Sequence, residues 1–288
     1  MTVGEKILAV FRRTNSHGIP FAAYEFFLPR GYRERRLREK GVGIFRFEKL
    51  YLVEMKRVEV CSHEGLQNGH RSIQRRFSTP LGSVEERILI EPNYGSQWTK
   101  EFLVKKSGDY DTLRYMVENS VYHPNYEAFR RAEEDLGGDG VVLANVDRTP
   151  FQKLLLDWVG PERLLMDLFD IPEVVEKLLQ SMTEKAAEVY QLMAESPAPV
   201  IHTWDNVTED FTSPQLFTRY CLPFYRRVGN LLRSRGKLLA VHLDGKLKNL
   251  AHLIAQAPID IVESFTLPEA GGNLPLREAK AMWPDKAI

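Results

Sequence analysis

Apolar positions late in the chain change their period in a fixed order. Lys237-Leu-Leu-Ala-Val-His-Leu-Asp-Gly245 is a nearly continuous apolar run, residues 246–256 repeat at helical spacing, and Pro258-Ile-Asp-Ile-Val-Glu-Ser-Phe-Thr266 is apolar again. The pattern reads as buried strand, polar loop, amphipathic helix and second buried strand, a βαβ unit. The same rhythm starts near residue 110. Residues 124–136 are helical and stop at Gly137-Gly138, and 140–146 form a strand. Pro161 and Pro172 stand where a first helical turn accepts proline. Val175, Leu178, Leu179, Met182, Ala186, Val189 and Met193 then keep the spacing of one buried helix face. Residues 199–203 make the next strand. Ser213 caps a further helix that is kinked at Pro223 and ends before Gly236.

Before residue 110 the periods are shorter. Residues 19–27 read as a buried strand and 30–40 as a basic helix or turn. Segments 57–61, 71–78, 83–90 and 102–105 alternate, and Thr79-Pro-Leu-Gly82 has hairpin chemistry. Residues 50–106 are therefore expected to be a small antiparallel β meander inserted into a single domain spanning 1–288. Repeated βα units without a glycine-rich nucleotide turn favour an α/β fold of the (β/α)8 barrel type over an open sheet. Strands near 19–24, 42–46, 141–146, 199–203, 238–243, 259–264 and 286–288 leave that barrel one short. The expectation is a chain truncated at its C-terminus, lacking a final strand and helix.

Composition narrows the function classes. The 288 residues are 43% hydrophobic, enough for a large core. Thirty-nine basic and 39 acidic residues cancel, so no global field favours nucleic acid or a membrane surface. Cys61 and Cys221 form no CxxC pattern, and no apolar run reaches membrane-spanning length. A soluble cytoplasmic globular protein is expected, with neither nucleic acid nor membrane as partner.

The candidate chemistry gathers at strand ends, where parallel α/β folds place their sites. His242 and Asp244 sit two apart and share a face, and Glu263 ends the following strand. Asp205 follows the 199–203 strand as a pocket residue or a loop cap. His202 on that strand reads first as a satisfied core histidine and second as a substrate contact. Asn145 and Asp147 share parity at another strand end, as pocket or turn residues. The Arg30, Arg33, Arg35, Arg36, Arg38 cluster reads as a solvated face, and Gly271-Gly272 as a loop.

Several linked features resemble the uroporphyrinogen decarboxylase superfamily over roughly residues 110–288. They are Thr149-Pro150-Phe151 with Trp158-Val-Gly160 and Leu164-Leu165; Ile171-Pro-Glu-Val-Val175; Trp204-Asp205-Asn206; Ser213-Pro-Gln-Leu-Phe217 with Pro223; and His242-Leu-Asp-Gly245. The superfamily comprises a carboxy-lyase of porphyrin biosynthesis and methyltransferases that move methyl groups to or from corrinoid proteins. Both are (β/α)8 barrels. The arginine-pair-Gln and Gly-Arg-Tyr motifs of the decarboxylase are reduced here to Arg12-Arg13 and Gly31-Tyr-Arg33. The His-x-Cys of the methyltransferases becomes His242-Leu-Asp244, which keeps a ligand but makes a harder, less thiophilic site.

The resemblance implies a methyltransferase in which Asp205, Glu263 and His242 are catalytic. His242, Asp244 and Glu263 would hold zinc or another divalent metal, and Asn145, Asp147, His202 and Asn206 would meet a small-molecule substrate. Cobalamin would arrive on a corrinoid partner protein docked at the meander. The alternatives are porphyrinogen decarboxylation without a cofactor and a non-catalytic barrel that only binds.

Overall fold

The computed structural model describes residues 1–14, 18–28, 30–92 and 95–288. Among them strands form at Ala22–Tyr24 (β1), Gly43–Glu48 (β2), Tyr51–Met55 (β3), Glu59–Gln67 (β4), His70–Thr79 (β5), Gly82–Ile90 (β6), Gln97–Glu101 (β7), Ser120–Pro124 (β8), Gly140–Val146 (β9), Val200–Thr203 (β10), Leu238–His242 (β11) and Ile261–Glu263 (β12). The chain divides into two compact units. The first comprises Met1–Leu52, Pro124–Asp147 and Val189–Ile288, and the second comprises Val53–His123 and Arg148–Glu188.

In the first unit, β1, β2, β9, β10, β11 and β12 form a six-stranded sheet in that order, parallel throughout. The spatial order follows the chain order without reversing. That is the winding of a (β/α)8 barrel, whereas a doubly wound sheet reverses at its middle. The sheet is curled, because Tyr24 on its first strand hydrogen-bonds Glu263 on its last. Ala287 adds a parallel bridge to Ile261 beyond β12. The fold class is α/β, as the periodicity predicts.

One face of this sheet is filled by Val141, Leu143, Val200, Ala240, Ile261 and Ala287, joined by Ile7 from the helix Val3–Phe11. That helix starts on a capping box between Thr2 and Glu5. It closes on the sheet through glycines: a Cβ on Gly4 would lie 2.3 Å from the carbonyl oxygen of Gly140.

In the second unit, β4, β5, β6 and β7 make the expected antiparallel meander. Its Thr79-Pro-Leu-Gly82 turn joins β5 to β6 as read from the sequence, and Phe77, Val84 and Ile88 are buried on one face. Among the described residues, no helix is long and apolar enough to cross a membrane.

Several boundaries differ from expectation. The strand expected over 19–27 is reduced to Ala22–Tyr24; Glu25–Phe27 is a 3-10 turn, and Ile19, Phe21, Phe26 and Phe27 are exposed. Pro20, which has no N–H, precedes the ladder there. Residues 102–105 are no strand: β7 lies just before them, and Leu103 and Val104 are apolar because they are buried in a bend. The segment at 286–288 contributes only the Ala287 bridge. β11 stops at His242, which leaves Asp244 in the following loop. The expected kink before Pro223 is a π-turn over Phe217–Cys221; proline offers no N–H to the preceding turn, and the helix widens there.

Candidate functional site

Register decides which side chains meet. His202 lies opposite Asn145, His242 lies opposite Glu263, and Ala240, two residues before His242, lies opposite His202. Side chains alternate along a strand, so Asn145, His202, His242 and Glu263 share the face of Leu143, Val200, Ala240 and Ile261. They form the last layer at the carboxyl ends of the strands, directly above the apolar core. The layer is dry: the side chains of His202, His242 and Glu263 are 0%, 10% and 14% exposed.

The two oxygens of Glu263 have different company. Oε2 lies 2.5 Å from Nδ1 of His242 and 3.3 Å from Nε2 of His202. Oε1 accepts a hydrogen bond from the hydroxyl of Tyr24, which also lies 3.1 Å from Oγ of Ser264. Ser264 sits at a φ of 58°, in the left-handed region that costs a non-glycine residue energy. Burial pushes the carboxyl of Glu263 up to about 7, against a hydrogen bond from Ser264 that pulls it down. Burial also holds His202 well below its ordinary value, with His242 acting the same way, so His202 is neutral.

Proton placement follows from the partners. Nδ1 of neutral His202 faces Oδ1 of Asn145 at 3.3 Å and carries the ring proton, which leaves Nε2 bare toward Glu263. On the other side, Nε2 of His242 faces Oδ2 of Asp244 at 3.3 Å, and Nδ2 of Asn206 donates to the same oxygen at 2.9 Å. Burial raises the pKa of Asp244, but the hydrogen bonds from His242 and Asn206 outweigh it and hold the group ionised. One possible ligand atom each from His202, His242 and Glu263 lies within 4.8 Å of the other two. Such a group repels itself unless a proton or a cation sits among the three.

Aromatic rings wall the cluster. Trp204 lies 4.5 Å from His202 and 5.1 Å from His242 between ring centroids, and Phe47 lies 4.9 Å from His202. Tyr24 packs edge-on against Phe47 at 5.4 Å.

The structure thus gathers His202, His242 and Glu263 and sets Asp244 behind His242, held by Asn206. Asn145 orients His202. Asp205 is fully buried and accepts hydrogen bonds from Thr203 at 3.0 Å and Tyr225 at 2.5 Å. Asp147 is exposed past the end of β9, where its carbonyl oxygen lies 3.0 Å from the same Thr203 hydroxyl and shares its one proton with Asp205. Sequence reasoning gave no role to Tyr24, Phe47 or Trp204. The alternation of Phe45 and Phe47 on β2, and the place of Trp204 next to Asp205, were the available signals.

The uroporphyrinogen decarboxylase (URO-D) profile matches residues 93–266, more than half of the chain. Among solved structures, a methyltransferase from Methanosarcina mazei is similar at 13% identity and a TM-score of 0.46, covering 67% of this chain and 55% of that one. The chain thus spans about half the length of that structure. An L-Ala-D/L-Glu epimerase gives 10% identity and a TM-score of 0.21, covering 74% of this chain and 62% of that one. A dipeptide epimerase from Methylococcus capsulatus, complexed with a Mg ion, gives 11% and 0.18, covering 80% and 91%. No curated protein matches the chain.

Proposed function

The chain belongs to the uroporphyrinogen decarboxylase family, and from that premise we propose an enzyme that moves a methyl group to or from a corrinoid presented by a partner protein. In this reading His202, His242 and Glu263 would hold a divalent metal at the mouth of the sheet. The observation that carries it is the convergence of two ring nitrogens and a carboxylate oxygen on one buried spot. Two imidazoles and a carboxylate suit zinc or another borderline divalent ion, and are harder than a thiolate set. Such an ion would supply Lewis acidity, which favours the deprotonated form of the group that accepts or releases methyl.

The residues around it have definite tasks. Asp244 fixes the ring of His242 through Nε2, and Asn145 fixes that of His202 through Nδ1, as outer-shell partners do. Tyr24 engages Oε1 of Glu263 and leaves Oε2 for the metal. Phe47 and Trp204 keep water from the reacting groups. The test is metal analysis of the purified protein, followed by a methyl-transfer assay with free methylcobalamin as donor and a thiol as acceptor. One metal per chain is expected, with the methyl group appearing on the thiol as the corrinoid is left as cob(I)alamin; a metal-free protein that leaves methylcobalamin intact sinks the reading.

A second reading rests on Glu263 alone. A carboxyl with a pKa of about 7 holds a proton that it can give up near neutrality. In a porphyrinogen decarboxylation that proton would go to the carbon from which CO2 leaves. Turnover of a porphyrinogen that survives chelators would favour this reading over the first.

A further inference from the structure

The outer strand of the meander is long and bare. β4 runs for nine residues at the edge of its sheet, and every residue from Glu59 to Leu66 is exposed. Its register with β5 is unbroken from Glu59 to Gln67. The opposite edge is handled differently, since β7 has five residues and its pairing with β6 shifts at Arg87/Ile88. Short strands and bulges are how sheets blunt an edge against further pairing, and β4 has neither, nor a lysine or proline. Val60 pairs with Phe77, which pairs with Val84, so Val60 and Leu66 stand on the face that is buried further into the sheet. On β4 that face is uncovered: Val60 is 44% and Leu66 80% exposed.

We propose that β4 is a dimer edge that pairs antiparallel with β4 of a second copy of this chain, about a two-fold axis through His63. The occupant follows from the symmetry of the strand. A two-fold axis perpendicular to the sheet keeps each face on its own side, so opposed residues share parity and the axis passes through a residue. Centred on His63, all nine residues pair. Val60 meets Leu66, Cys61 meets Gly65, Ser62 meets Glu64 and Glu59 meets Gln67. Centring on Ser62 sets Val60 against Glu64, and centring on Glu64 sets two carboxylates opposite each other, which is destabilising. Of these three registers only the one centred on His63 matches apolar with apolar and opposes no like charges, and centring on Val60 or Leu66 leaves only three residues of each strand paired. Two four-stranded sheets then become one of eight, with no bare β4 edge left.

Light scattering on the full chain should give twice the 33.2 kDa of one copy. Val60→Lys should return the mass to one copy without lowering the melting temperature of the monomer, because β4 is exposed on both faces. In a Cys61→Ser background, His63→Cys should form a disulfide-linked dimer on oxidation. Directly opposed antiparallel residues lie about 4.5–5.5 Å apart between Cα atoms, within disulfide reach. Ser62→Cys in the same background should not, since its opposite number is Glu64. A wild-type chain that stays monomeric, or a dimer that neither cross-links at position 63 nor responds to Val60→Lys, overturns the proposal.

Discussion

The parallel sheet of the first unit and the antiparallel meander of the second use charged residues in opposite ways. In the parallel sheet every strand points the same way, so each can end with a polar residue in one shared layer; β9, β10, β11 and β12 deliver Asn145, His202, His242 and Glu263. In the meander, adjacent strand ends alternate between two edges and no such layer can assemble. Its charges pair across neighbouring strands instead: Arg71 with Glu64, Arg75 with Glu86, Arg87 with Glu101, while the amide of Gln74 donates to Glu85. Strand direction decides whether charge is collected or dispersed. The collected layer sits on an apolar core and is dry, which is what shifts Glu263 and His202.

The largest effect that separates the two regions is loss of metal. His242→Ala should abolish both metal stoichiometry and activity, whereas Arg71→Ala in the meander should change neither. Asp244→Asn, which weakens the grip on His242 without removing a ligand, should cost metal affinity about 10–100-fold. Calorimetric titration with zinc checks all three. Full occupancy in His242→Ala would reject the ligand set.

Stability gives the next contrast. Leu143 is 2% exposed directly beneath the mouth layer, so Leu143→Ala should destabilise by about 2–5 kcal/mol. Val60→Ala on the bare edge of the meander should stay within about 0.5 kcal/mol for the monomer. Denaturant melts of the two variants test the comparison, and equal losses would show that β4 is covered within the single chain.

Acidity sharpens the same contrast. With its pKa near 7, Glu263 in the folded metal-free protein keeps a proton that the unfolded chain releases near 4.5. The folded state therefore binds more protons between those values, and this contribution to stability, full below 4.5, is lost as pH rises through about 7. The slope is at most roughly 1.4 kcal/mol per pH unit. A ligating carboxylate must be deprotonated, so zinc affinity should rise up to about tenfold per unit below about 7 and then level off. Affinity that is flat from acidic to neutral pH would remove Glu263 from the ligand set.

How far the site was legible depends on the strand. Parity on β11 and β12 placed His242 and Glu263 correctly at strand ends facing one way, because a βαβ unit fixes their order and direction. Parity misplaced Asp244, since the ladder stops at His242 and the loop turns Asp244 to the far nitrogen of that ring. His202 was harder. A parallel strand buried on both sides is apolar on both, so alternation along Val200–Thr203 does not say which face looks into the mouth. Register with β9 and β11 supplies that answer. Tyr24 was out of reach, because its contact with Glu263 joins the first strand of the sheet to the last and exists only once the sheet is curled. Asp205 looked like a pocket acid beside Trp204, yet the hydroxyls of Thr203 and Tyr225 claim it.

The smallest effect concerns the dispersed charges. Arg71 and Glu64 are 2.6 Å apart, with side chains 59% and 54% exposed. Each keeps most of its hydration in the pair, so little attraction is left once water and salt screen it. A double-mutant cycle of Arg71→Ala and Glu64→Ala, read by denaturant melts on monomeric protein in a Val60→Lys background, should give a coupling of about 0.2–1 kcal/mol. It should shrink further in molar salt. A coupling several times larger that persists in salt would mean the pair is buried by something the single chain does not supply, and the meander could then no longer be read as the region where charge is merely solvated.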